Sequence, residues 1–80
     1  MTLPYAATTP ALPRTIASAV SDALEQAAWP EALAVSMTEM DEVQDLWNVQ
    51  ALYDTQPTAD DIQQALQFAD LQPVEITIGQ

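Results

Sequence analysis

From Arg14 to Ala28 the apolar residues Ile16, Val20, Ala23, Leu24 and Ala27 recur at helical spacing, while Arg14, Ser18, Ser21, Asp22 and Glu25 take the other side. That pattern predicts an amphipathic helix with a thin, alanine-rich stripe. Pro30 ends it, and Trp29 at the junction is expected as a core plug because an indole buries a large area on packing.

A second helix is written from Thr58 onward. Thr58 has the residue type of an N-cap, Asp60 and Asp61 fall in the first turn where the helix dipole favours them, and Ile62, Ala65, Leu66 and Ala69 form the stripe. After Pro73, Val74, Ile76 and Ile78 alternate with Glu75 and Thr77, which predicts a strand. A lone strand is not stable, so it needs a mate. The candidates are residues 32–38, residues 47–53 or a strand of another protein.

The middle of the chain fits two periods. Leu33, Val35 and Met37 alternate with Ala34, Ser36 and Thr38, yet Ser36–Glu39 and Thr38–Asp41 each have capping-box spacing. The favoured reading is a strand or loop through about Val35, then a helix from about Met37 whose apolar face continues through Met40, Val43, Trp47 and Ala51. Residues 47–53 also alternate, so a strand there stays open; short runs satisfy both templates.

Residues 1–13 hold Pro4, Pro10 and Pro13. Three prolines so close disfavour helix and leave few amides for a central strand. An extended N-terminal arm is expected, with Leu3 and Tyr5 as its apolar handles. Residues 14–80 then form a single small α+β domain, with two or three amphipathic helices packed on a small sheet that includes the C-terminal strand.

Composition narrows the chemistry. Of 80 residues, 12 are acidic and Arg14 is the one base, for a net charge of −11, with no Cys or His and one glycine, Gly79. Thiol and imidazole nucleophiles, Schiff-base lysines, phosphate clamps and glycine-rich phosphate loops all lack their residues. The reading is therefore non-enzymatic, with no catalytic residue, no cofactor and no metal. Direct binding to nucleic acid or to anionic membrane would need the bases that are missing. The apolar fraction of 49% argues against a disordered polyanion. No apolar run has the length of a membrane span and no secretion signal is recognisable, so a cytoplasmic location is expected.

The acids concentrate at Glu39, Asp41, Glu42, Asp45, Asp54, Asp60 and Asp61. On a helix over residues 37–53, Asp41–Asp45 and Glu39–Glu42 would repel by about 0.2–0.5 kcal/mol per pair. Spread evenly, eleven charges on about 4,700 Å² are about fourfold sparser than the charge on duplex DNA. A DNA-like surface therefore requires about seven or eight carboxylates on one face. These seven residues are the expected partner-binding set. The leading function is occupation of a basic surface, of the nucleic-acid-binding kind, on a partner protein, as an inhibitor or DNA mimic such as viral counter-defence uses. The alternative is a small structural or assembly subunit, such as a virion or tail component or an assembly chaperone, held by its arm and C-terminal strand.

Overall fold

The computed structural model describes residues 4–29 and 31–79, so Leu3 and Pro30 lie outside the described residues. The elements in order are β1 (Tyr5–Thr8), β2 (Leu12–Pro13), α1 (Arg14–Gln26), β3 (Ala34–Asp41), β4 (Leu46–Tyr53), α2 (Ala59–Phe68) and β5 (Thr77–Gly79). Among the described residues, two helices and a five-stranded antiparallel sheet make this an α+β chain.

β4 organises the sheet. β3 pairs along one side of it, from Ala34↔Leu52 to Asp41↔Leu46. β1 and β2 succeed each other along the other side, through Tyr5↔Tyr53 and Leu12↔Trp47. β5 then adds outside β1 through Ala7↔Ile78.

Residues 37–53 are thus a β-hairpin and not the favoured helix; for 47–53 the strand alternative is the one that forms. Neither expected capping box forms, because Ser36, Thr38, Glu39 and Asp41 all lie in β3. The alternation of Val35, Met37, Val49, Ala51 and Tyr53 wins because that face can be buried under a helix. The four acids within two helical turns, with no cation beside them, weigh against the other choice.

The prolines bracket the first strand instead of interrupting it. Tyr5–Thr8 pairs with both β4 and β5, so it is an interior strand, contrary to the expectation from the proline count. Thr9, just beyond it, does what Pro10 cannot. Its backbone N–H donates to the Val49 carbonyl at 3.0 Å, and its buried hydroxyl accepts from the Val49 N–H at 2.9 Å and donates to the Pro10 carbonyl at 2.9 Å. A side chain here replaces one rung of the ladder.

The C-terminal strand is shorter than expected, Thr77–Gly79, and its mate is β1, none of the three candidates. Val74, upstream of it, is held by Gln63 of α2. The Gln63 amide oxygen accepts from the Val74 N–H at 3.2 Å and its NH₂ donates to the Val74 carbonyl.

The core forms where α1 and α2 cover one face of the sheet: Ala17, Val20 and Leu24 of α1 and Ile62 and Leu66 of α2 join Ala7, Val49, Ala51 and Tyr53. The N-terminus of α2 is as written in the sequence, with the Thr58 hydroxyl accepting from the Asp61 N–H at 3.1 Å and Asp61 returning to the Thr58 N–H at 3.5 Å. The opposite sheet face carries Ala6, Thr8, Ser36, Thr38, Gln50, Leu52 and Thr77, with Asp41, paired to Leu46 beyond the bulge, as its charge among the described strand residues. Trp29 is no core plug; it is 71% exposed. α1 ends at Gln26, so the indole falls beyond the helix and its buried stripe.

Candidate functional site

The turn joining β3 to β4 contains Glu42, Val43, Gln44 and Asp45, with no Gly, Pro or Asn to make it. Two aspartates do that work. The Asp41 carboxylate accepts the Val43 and Gln44 N–H groups at 3.0 and 3.1 Å, closing the turn with a side chain. Asp45 takes the left-handed backbone that ends it, φ 56°, a conformation Asp tolerates better than most residues.

Asp45 also ties the tip to the body. Its carboxylate accepts the Trp47 indole N–H at 2.8 Å and lies 3.2 Å from Arg14 Nε, while its carbonyl accepts the Arg14 N–H at 3.1 Å. That last bond serves the first residue of α1, which has no side-chain cap. The one base of the chain is thereby engaged at the hairpin. Both charged groups of this ion pair are half-exposed or more, so it contributes at most about 1 kcal/mol.

The register of β3 on β4 slips between Glu39 and Asp41, which frees Met40 from pairing. Met40 is 57% exposed and Val43 is 95% exposed. The tip therefore presents two bare apolar side chains among four acids: Glu39, Asp41, Glu42 and Asp45.

The structure brings these four expected site residues together and leaves the other three elsewhere. Asp54 follows the far end of β4, a strand of eight residues and so about 25 Å from the tip at about 3.3 Å per residue. Asp60 and Asp61 open α2, where Asp61 is engaged by the capping box. Among the described residues Glu39, Glu42, Asp54 and Asp60 make no side-chain hydrogen bond or ion pair. No group of three or more acids among the described residues is arranged to hold a metal ion, and no described helix is long and apolar enough to cross a membrane.

Sequence reasoning missed a second feature. Phe68 is 95% exposed at the end of α2 and lines the same groove as Trp29. The signal for it is a phenylalanine off the stripe of Ile62, Ala65, Leu66 and Ala69. No protein-family model matches this chain, and neither curated proteins nor solved structures yield a match.

Proposed function

We infer that this chain is a non-enzymatic interaction protein that occupies a basic surface of a partner protein, of the kind that otherwise holds nucleic acid. It would act as an inhibitor in the manner of viral counter-defence; the four acids gathered at the tip fall short of the about seven or eight that a DNA-like face requires, so the contact is local and not an imitation of the duplex. The observation that carries the reading is the hairpin tip. Glu39 and Glu42, without side-chain partners among the described residues, neighbour exposed Met40 and Val43 at the end of a hairpin whose turn is closed by Asp41 and tied back by Asp45. With the turn backbone closed by Asp41 and Asp45, docking has to order the Glu39 and Glu42 side chains but not the loop that carries Glu42, and the apolar pair offers burial where the charges would otherwise only be desolvated. Asp54, Asp60 and Asp61 belong to a second contact or to none, since they lie beyond the far end of β4. The alternative, a subunit held by its arm and C-terminal strand, is weakened because β1 and β5 are each other's partners.

The test is capture of partners from the native host on the immobilised chain, identification by mass spectrometry, and titration of the retained protein. Glu39→Lys/Glu42→Lys leaves the turn-forming aspartates intact. It is expected to abolish capture, since each desolvated charge pair lost costs about 2–5 kcal/mol. Affinity should also fall steeply between about 50 and about 500 mM NaCl. A partner that binds equally well across that range, or binds the double variant unchanged, would refute the reading.

A further inference from the structure

A groove of about 640 Å³ runs between the C-terminal parts of α1 and α2. Ala23, Ala27, Ala65 and Ala69 line it together with Trp29 and Phe68, and no lining residue is charged. Its size suits a few apolar side chains. The two rings, one just beyond α1 and one on α2, are among the most exposed large apolar groups of the described residues, and the alanines that line the groove with them let another backbone approach closely.

The electrostatics select the occupant. Residues from the C-terminal, partially negative parts of both helices line this groove, and neither helix has a basic residue in its last turn. In α2 the last carbonyls are turned inward by backbone bonds from Ala69, Asp70 and Leu71. α1 has no such closure: among the described residues no backbone N–H beyond Gln26 returns to its last turn. One turn before the groove, helical spacing places the exposed Asp22 ahead of Gln26 on α1. A second copy would bring the same charge of −11 to these flanks. A cationic segment meets the negative end of α1, the Asp22 carboxylate and two ring faces.

We propose that this groove is a docking site for a basic amphipathic helix of a partner. Apolar side chains of that helix lie on the alanine floor between Trp29 and Phe68, and a Lys or Arg caps the end of α1. The site is separate from the hairpin tip and does not depend on the role given to that tip.

The probe is a synthetic amphipathic peptide of about sixteen residues, long enough to be partly helical, with Leu at helical spacing and Lys on the flanks. Two controls accompany it, one with the same composition but the leucine stripe scrambled, the other with Glu for Lys. Calorimetry at physiological salt should show binding of the first peptide only. Trp29→Ala and Phe68→Ala should each weaken it by about tenfold or more, as loss of a central aromatic anchor does. Ala69→Arg, which places a cation in the groove and suits a helix C-terminus, should also weaken it. Circular dichroism on each variant confirms folding; all three positions are exposed. Failure of the basic peptide to bind, equal binding of the scrambled one, or indifference to Phe68→Ala would overturn the proposal. So would weakening by Glu39→Lys/Glu42→Lys as great as by Trp29→Ala, since distant charge would then hold the peptide. A dimer in sedimentation that Phe68→Ala dissolves would assign the groove to a second copy and also overturn it.

Discussion

The indole N–H of Trp47 donates to the Asp45 carboxylate over 2.8 Å, two residues away along the chain. Asp45 sits in the left-handed region, so the same residue supplies both the backbone bend and the acceptor that fixes the first inward residues of β4. Arg14, through both its backbone and its side chain, then fastens α1 to that point. The tip, the first turn of α1 and the start of β4 consequently share one residue.

Substitution at Asp45 separates these roles. Asp45→Asn keeps a carbonyl oxygen for Trp47 and a residue that tolerates φ > 0, and loses only a half-exposed ion pair. It should cost about 0.5 kcal/mol or less. Asp45→Ala loses the acceptor and the polar side chain that makes left-handed backbone tolerable for Asp, so about 1–2 kcal/mol is expected. Chemical denaturation of the two variants checks the order. Equal losses would mean that charge, not geometry, is what Asp45 contributes.

The same residues show why the hairpin was hard to read. β-hairpin turns usually announce themselves with Gly or Asn; here Glu42–Asp45 offers neither, and the turn is closed by the Asp41 side chain. Spacing alone then made Thr38–Asp41 resemble a helix start. α2 was legible because Thr58 and Asp61 satisfy each other locally, with no need of tertiary context. The pairing of β1 with β5 joins residues about seventy positions apart in the chain, which no local pattern encodes. Of the candidate site, the acids could be located in the sequence. Their division between the two ends of β4 could not, since it follows from the hairpin.

Gln63 stands in for a strand by bonding both backbone groups of Val74. Gln63→Ala should destabilise by about 1–2 kcal/mol, two neutral hydrogen bonds at about 0.5–1.5 kcal/mol each. Gln63→Glu should be no better than alanine, because it keeps the acceptor but sets a carboxylate against the Val74 carbonyl. Hydrogen exchange at the Val74 amide should quicken in both. Unchanged protection would show that the segment before β5 is held by its apolar contacts instead.

Asp70 ends α2 with φ 63°; its N–H donates to the Gln67 carbonyl at 2.9 Å and the Leu71 N–H to that of Leu66 at 3.0 Å. This is the double bond of a Schellman cap, in which glycine is preferred at the left-handed position. Asp70→Gly relieves the strain and removes a negative charge from the negative end of the helix, against some added freedom of the unfolded chain. A net gain of about 0.5–1 kcal/mol is expected, read as a melting temperature higher by several degrees, since about 1 kcal/mol is worth about 4–8 °C in a domain of this size. A lower melting temperature would show that the Asp70 side chain contributes more than its backbone costs.

Tyr53 is the most unusual member of the core. Its ring is buried with Val49, Ala51 and Ile62, and its hydroxyl is buried with no hydrogen-bond partner among the described residues. An unsatisfied buried polar group costs about 1–3 kcal/mol, so Tyr53→Phe should stabilise, by about 1 kcal/mol. Burial also pushes the Tyr53 phenol above its ordinary pKa of 10.0, since desolvation penalises the phenolate. With the folded pKa raised, the native state holds this proton after the unfolded chain has released it. Stability from this group is therefore complete below pH about 10 and is lost as pH rises beyond that value. Wild-type melting temperature should fall over that alkaline range more steeply than that of Tyr53→Phe, which has no such proton. Parallel slopes, or a phenylalanine variant less stable than wild type at neutral pH, would mean that the hydroxyl has found a partner.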